Sequence, residues 1–396
     1  MKIKNILIIV FLYSFNASAF DIDDSIIWPN FNTENFLDIN YVQFRDQLEE
    51  QWYLAENGWR VSDHSLTSDL LYTNTEVKFF NEFSDYVNIR FNYRQELYFT
   101  DYDILTPQLE VEIKPFSGHE ISISIIGTAE YRKEKSDLGL AITFGKLTSN
   151  FIRLSEMTVD YFYNEKTYTQ AIFYNYQQIR TVDTAYKWSP SVNVRFKFSD
   201  FSPMEFLYSD QATLFEHQGY QYDGFIKYKS NKDNTFKLSI KGFETDKSIT
   251  GTTNQSQQLK YDSFDLKWLT HQRQPYQLTF GLRDDHFTNE ITDTTNSNTI
   301  LDYLFTSRQI YSTVYHAYTT QKAWELGLYI GLTKEPDDFN NPDYDFSHVY
   351  ESKLATHWVY HSKNKRSSIF LNASWDLDGT INDPWDGGGI TYQSTF

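Results

Sequence analysis

Two places in the sequence set a base beside a hydroxyl nucleophile, Ser347-His348 and His361-Ser362. A hydrolytic dyad needs imidazole and hydroxyl on the same side of the chain, whereas neighbouring residues of an extended strand point to opposite faces. On strands, this adjacency argues against catalysis. The nine histidines fall into no spacing that suggests a metal site. Asp376-x-Asp378-Gly379, followed by Asp383 and Asp386, offers carboxylate oxygens of the kind calcium takes, but it lacks the full loop and closing glutamate of a calcium-binding hand. It reads as a turn with solvated carboxylates. Gly387-Gly388-Gly389 precedes no helix and so cradles no phosphate. The chain has no cysteine, which excludes disulfides, thiolate metal sites and a thiol nucleophile. No catalytic residue, cofactor or metal is expected.

The remaining chemistry lies in charged side chains, and the elements that carry them follow a two-residue period. Val87, Ile89, Phe91, Tyr93, Leu97 and Phe99 interleave with Asn88, Arg90, Asn92, Arg94 and Glu96. Leu109, Val111 and Ile113 stand against Gln108, Glu110, Glu112 and Lys114, and Val192, Val194, Phe196 and Phe198 against Asn193, Arg195 and Lys197. The same alternation runs through Phe236 to Lys241, Tyr276 to Arg283, Trp324 to Ile330 and Ser368 to Trp375. One face of each segment is apolar and the other polar or charged.

Aromatic residues make up 18% of the chain, yet its mean hydropathy is −0.55. Thirty Tyr, thirty-two Phe and nine Trp therefore need an amphipathic setting. A membrane barrel supplies one: an apolar outer band, aromatic girdles and a polar interior. Soluble sandwiches and propellers are the competing all-β folds. Their strands are shorter by default than these segments, which match the length a tilted membrane strand requires. No apolar run after the N-terminus is long enough for a membrane helix. The fold expected is an all-β, transmembrane, antiparallel up-and-down β-barrel of about 16–18 strands.

Gly388-Gly389-Ile390-Thr391-Tyr392-Gln393-Ser394-Thr395-Phe396 alternates and stops on an aromatic residue. It resembles the C-terminal strand of Gram-negative outer-membrane barrels, departing from their pattern at Ser394. The resemblance implies that Tyr392 and Phe396 form an insertion signal read by the barrel-insertion machinery. At the other end, Met1-Lys2-Ile3-Lys4-Asn5, the apolar Ile6 to Phe15 and Ala17-Ser18-Ala19 are the charged, apolar and cleavage regions of a secretory signal peptide. The expected organisation is a signal peptide at 1–19, an N-terminal periplasmic segment at 20–47 and the barrel at 48–396. A short helix over 36–50 is an alternative to a strand there, and Leu48 to Trp59 and Leu70 to Phe80 are the first strand candidates.

Counting back from a last strand that ends in the periplasm, 376–386, 335–346, 286–305, 245–257 and 200–219 are long outer loops. Residues 319–321, 231–233, 362–365 and 116–118 are short inner turns. The segment 199–219 is unusual for a loop in holding Phe201, Met204, Phe206, Leu207, Tyr208, Leu214 and Phe215. It folds into the pore, caps it, contacts a protomer, or forms two further strands.

Strand parity places Arg195, Lys197, Lys227, Lys229, Lys237, Lys241, Lys267 and Arg283 on a basic pore wall, with Asp223 and Asp265 among them. It places Glu110, Glu112, Glu130, Glu156 and Asp160 on an acidic wall with Lys114. A transverse field across the lumen would favour polar and anionic solutes. The bland alternative is that the charges pair across neighbouring strands. The net charge of −18 resides largely in the outer loops. These features lead to a porin-like channel for passive diffusion of small polar or anionic solutes. The alternative is a non-conducting scaffold or surface receptor, and enzymatic activity ranks below both. The 30 or so residues before the first strand are too few for the plug of an energised transporter. The partners expected are outer-membrane lipid, the insertion machinery, the solute and, since general porins are by analogy trimers, further copies of the chain; nucleic acid is not among them.

Overall fold

Alternating β-branched or aromatic and polar residues favour strands, because each pleated face then meets one kind of solvent. The computed structural model describes residues 58–62 and 71–394, apart from 99–101, 116–119, 129–136, 146–149, 160–171, 208–213, 271–275, 337–345, 364–366, 378–384 and several gaps of one or two residues. The described residues form β1 (Gly58–Ser62), β2 (Leu71–Ser84), β3 (Val87–Tyr98), β4 (Tyr102–Ile113), β5 (Ile121–Thr128), β6 (Asp137–Gly145) and β7 (Phe151–Val159). They continue as β8 (Ile172–Asn175), β9 (Gln177–Ser189), β10 (Val192–Leu207), β11 (Leu214–Lys229), β12 (Asn234–Thr250) and β13 (Gln255–Thr270). The remainder are β14 (Tyr276–Asp293), β15 (Asn298–Ala317), β16 (Lys322–Pro336), β17 (Phe346–His361), β18 (Ser367–Asp376) and β19 (Trp385–Ser394).

Each strand pairs antiparallel with the next in sequence, with β8 set aside. β8 continues the path of β9 along β10, pairing Ile172 with Leu207 and Asn175 with Glu205. β1 pairs with β19 through four residues and with β2 through four, so the ladder returns to its start. Taking β8 with β9, eighteen strands lie on this circuit, an even number as bacterial barrels have.

The burial pattern inverts that of a water-soluble protein. On β6, Leu138 and Leu140 are 63% and 60% exposed while Gly139 between them and Ala141 and Thr143 beyond them are buried. On β16, Leu326, Leu328 and Ile330 are exposed and Glu325 and Tyr329 buried. Apolar residues therefore face outward along the wall, and polar ones inward.

The exposed apolar positions form a belt. At the lower end, defined as the end where β19 finishes, the exposed outer side chains include Tyr186, Trp188, Tyr228, Phe236, Trp268, Tyr276, Trp358 and Tyr360. Phe236 stacks on Trp268 with ring centroids 6.2 Å apart, and Tyr276 on His316 at 4.1 Å. At the upper edge the outer positions turn charged: Arg180 follows Val182 on β9, Asp262 follows Phe264 on β13 and Asp284 follows Leu282 on β14. From Trp188 to Arg180, and from Tyr276 to Asp284, is eight residues, roughly 26 Å of strand. The row carrying Arg180 runs through Asp200, Tyr220, Glu244 and Lys260 to Thr288, four residues beyond Asp284. The belt thus slants across the ladder, as a level membrane must across tilted strands.

Strand length differs around the wall. β5, β6 and β7 have eight or nine residues, whereas β10 to β15 have 16 to 20. Among the described residues the surplus of β10 to β15 lies above the belt, and these strands rise there as a curtain. This corrects three of the expected loops: 200–219, 245–257 and 286–305 are largely strand, joined by hairpin ends. The apolar segment 199–219 belongs to this curtain, with Phe201 and Met204 buried in it, and its tip at 208–213 lies outside the described residues. The described residues of the turns expected at 231–233, 319–321 and 362–365 fall between strands, and 116–118 lies outside the described residues. Leu70 to Phe80 corresponds to β2, whereas of Leu48 to Trp59 only the last two residues fall in β1. The rest of that segment, the helix alternative and 1–47 lie outside the described residues.

Inside the wall, large rings sit over glycines. A Cβ at Gly281 would overlap Cζ of Tyr311, whose hydroxyl is held by Asp265 at 2.5 Å. Gly281→Val should cost about 1–3 kcal/mol by overpacking and lower the yield of heat-modifiable folded barrel on unheated gels. Adding Tyr311→Ala should restore part of it; equal yields for all three proteins would contradict this packing.

Candidate functional site

Register assigns faces without ambiguity, because residues directly opposite on paired strands share a face. One row runs Lys187, Asn193, Lys227, Lys237, Lys267, Gly281, Tyr311 and Tyr329 from β9 to β16. The row above it runs Ala185, Arg195, Phe225, Ser239, Asp265, Arg283 and Gln309. The next carries Asp183, Lys197, Asp223, Lys241, Ser263 and Asp285, and the one below the lysines carries Lys229, Thr235 and Leu269. All eight residues of the expected basic wall therefore share the inner face with the buried Lys267 and Arg283.

The wall is not purely basic. Lys267 Nζ lies 3.0 Å from Asp265, whose other oxygen accepts from the Tyr311 hydroxyl. Arg283 Nε lies 2.5 Å from Asp285, which also accepts from the Tyr261 hydroxyl at 2.9 Å. Arg195 stands 3.7 Å from Asp183, and the Lys237 ammonium lies 5.0 Å from the centre of the Phe225 ring. Pairing between neighbours accounts for part of the charge, as the bland alternative required. The eight cations still outnumber the four carboxylates Asp183, Asp223, Asp265 and Asp285 interspersed with them.

Of the expected acidic wall, Glu110 and Glu112 are on the inner face and buried. Arg153 on β7 reaches Glu110 on β4 at 2.9 Å, above the small buried residues Ser122, Ser124, Ala141 and Thr143. Glu112 accepts from Asn88 at 2.9 Å and from the Ser122 hydroxyl at 2.5 Å. Glu156 corrects the expectation. It pairs in register with Leu140, which is 60% exposed, and with Arg180, so it faces outward. There it bonds Arg180 at 3.2 Å. The physical reason is height: β7 crosses the upper edge of the belt after Leu154, and charge is tolerated outside once the wall leaves hydrocarbon. Asp160 and Glu130 lie outside the described residues, as does Phe396; Tyr392 pairs in register with Ile369 on β18.

Ser347 and His348 occupy consecutive positions of β17, and His361 is the last residue of that strand, with Ser362 beyond it. Among the described residues no group of three His, Asp or Glu could hold a metal ion. Asp378, Gly379 and Asp383 lie outside them. Strand reading missed Arg153 and the inner tyrosines Tyr261 and Tyr311. Their signal was position: Tyr311 is flanked by the outward Ile310, so alternation alone puts its ring inside.

No family model matches the sequence, and no curated protein does. Among solved structures, OmpT, an outer membrane protein of Vibrio cholerae, gives a TM-score of 0.43 at 7% identity, covering 82% of this chain and 95% of that one. OccAB2 of Acinetobacter baumannii gives 0.44 at 10% identity over 86% and 95%, and OccAB3 of the same organism 0.45 at 9% over 86% and 97%. The antiparallel circuit and its outward apolar belt make this chain a β-barrel of the membrane-spanning kind.

Lys267→Met would strand Asp265 in a buried site and should destabilise the barrel by about 3 kcal/mol. Lys267→Met with Asp265→Asn should cost less than the two single changes summed. Urea unfolding in lipid vesicles measures this, and strict additivity would show that the two groups are uncoupled.

Proposed function

We propose that the barrel is a channel for passive diffusion of small polar or anionic solutes across the outer membrane. The observation that carries this reading is the charged inner face, where eight Lys and Arg residues on β10 to β14 stand across the circuit from Glu110 and Glu112. An aqueous passage lined this way lowers the cost of moving a charged or dipolar solute, and its cationic excess draws anions. On this reading the lower end faces the periplasm, where short turns belong, and the curtain of β10 to β15 stands outside the cell. The chain reaches the membrane by export on a signal peptide cleaved after Ala19, and by insertion through the terminal strand with Tyr392 and Phe396. It works without cofactor or catalytic step.

A second reading is a non-conducting barrel that binds a partner outside the cell. The curtain favours it, since strands of up to 20 residues project a rigid polar sheet beyond the membrane.

Single-channel recording of the refolded protein in a planar bilayer separates the two. Stable conductance steps with anion preference are expected. Lys237→Glu with Lys241→Glu should shift that preference toward cations, whereas Glu156→Lys on the outer face should leave it unchanged. A folded barrel that never conducts would end the channel reading.

A further inference from the structure

The inner charges are sorted along the barrel axis as well as around it. On β9 to β14 the carboxylates Asp183, Asp223, Asp265 and Asp285 occupy the two upper rows. The row below them holds Lys187, Asn193, Lys227, Lys237, Lys267 and Gly281, with no carboxylate among its described residues on these strands. Neither has the next row, Lys229, Thr235, Leu269 and Thr279. Lys227, Lys237 and Lys267 are directly opposed on three consecutive strands, spanning roughly 10 Å. Like charges so placed repel and destabilise the ladder. Lys267 is offset by Asp265 from above and Lys237 lies against the Phe225 ring, and the row gathers three ammonium groups on adjacent strands. Its height is fixed by its sequence neighbours: Tyr228, Phe236 and Trp268, each next to one of these lysines, belong to the lower aromatic girdle.

We infer that this lysine row is a binding site for multivalent oxyanions, such as diphosphates or dicarboxylates, at the periplasmic mouth of the barrel. The inference rests on the channel reading for its orientation and deepens it by naming a solute class and a place. A ligand with two anionic groups can engage the Lys227 and Lys237 ammonium groups at once, beside the buried Lys267–Asp265 pair, which a monoanion cannot. On β9 to β14 the wall is mixed in charge above and positive below, while Glu112 on β4 and Glu325 on β16 place carboxylates toward the same end elsewhere on the circuit, so an anion entering from outside is drawn to the lysine side.

Inorganic pyrophosphate is the probe. Calorimetry on the refolded full barrel should show saturable binding that Lys227→Gln with Lys237→Gln weakens about tenfold. Lys260→Gln with Arg308→Gln, which removes two cations from the outer face, should leave it unchanged. Absence of saturable binding, or equal weakening by both pairs of changes, would overturn the site. In bilayers, pyrophosphate added on the periplasmic side should block at lower concentration than on the other side; symmetric block would overturn its placement at the mouth. Binding with this dependence in a barrel that never conducts would sink the diffusion reading and leave the anion site standing.

Discussion

Every backbone N–H and C=O that enters hydrocarbon must find a partner within the protein, because lipid offers none and each unpaired group costs several kcal/mol. A sheet meets that demand only if it has no free edge. The long, regular ladders from β2 round to β19, and the return through β1, follow from this constraint. So does the reversal of faces: once the outside is lipid, Leu138, Leu140 and Ile330 are stable where a soluble protein would place lysine, and Lys267 and Glu325 belong inside.

Putting charge inside creates a second problem, which the inner wall solves locally. Lys267 with Asp265 and Tyr311, Arg283 with Asp285 and Tyr261, and Arg153 with Glu110 are hydrogen-bonded groups, not isolated charges. Tyr311 serves two ends at once: its ring covers Gly281 on the neighbouring strand while its hydroxyl reaches Asp265. The same pairing limits how far the wall acts as a bare electrode. On β9 to β14 the surplus of cations lies toward the lower end.

Much of this was legible in the sequence wherever a strand lies between two different solvents. Leu109 to Ile113, Phe236 to Ile240 and Tyr276 to Leu282 announce both strand and face, since one side meets lipid and the other does not. Above the belt that contrast vanishes. Asp246, Ser248, Gln258 and Thr292 in the curtain face water on strands that carry no apolar stripe, so 245–257 and 286–305 resemble loops although they are paired as ladders, with one register shift after Ile291. Glu156 fails for a related reason. The rule that charge points inward holds only within the belt, and sequence alone does not say at which residue a tilted strand leaves it. The pairing of Arg153 with Glu110 across two intervening strands depends on the curvature of the wall, which no local pattern encodes.

The central claim is that the wall is inside out, with its membrane belt ending on β14 between Leu282 and Asp284. Nitroxides placed at single cysteines introduced in turn at Leu278, Leu282, Asp284 and Glu290 of this cysteine-free chain measure it directly, through collision with oxygen in lipid or a nickel chelate in water. Oxygen should dominate at 278 and 282, and the nickel chelate at 284 and 290. Nickel access at all four positions would contradict the membrane belt and with it the account built upon it.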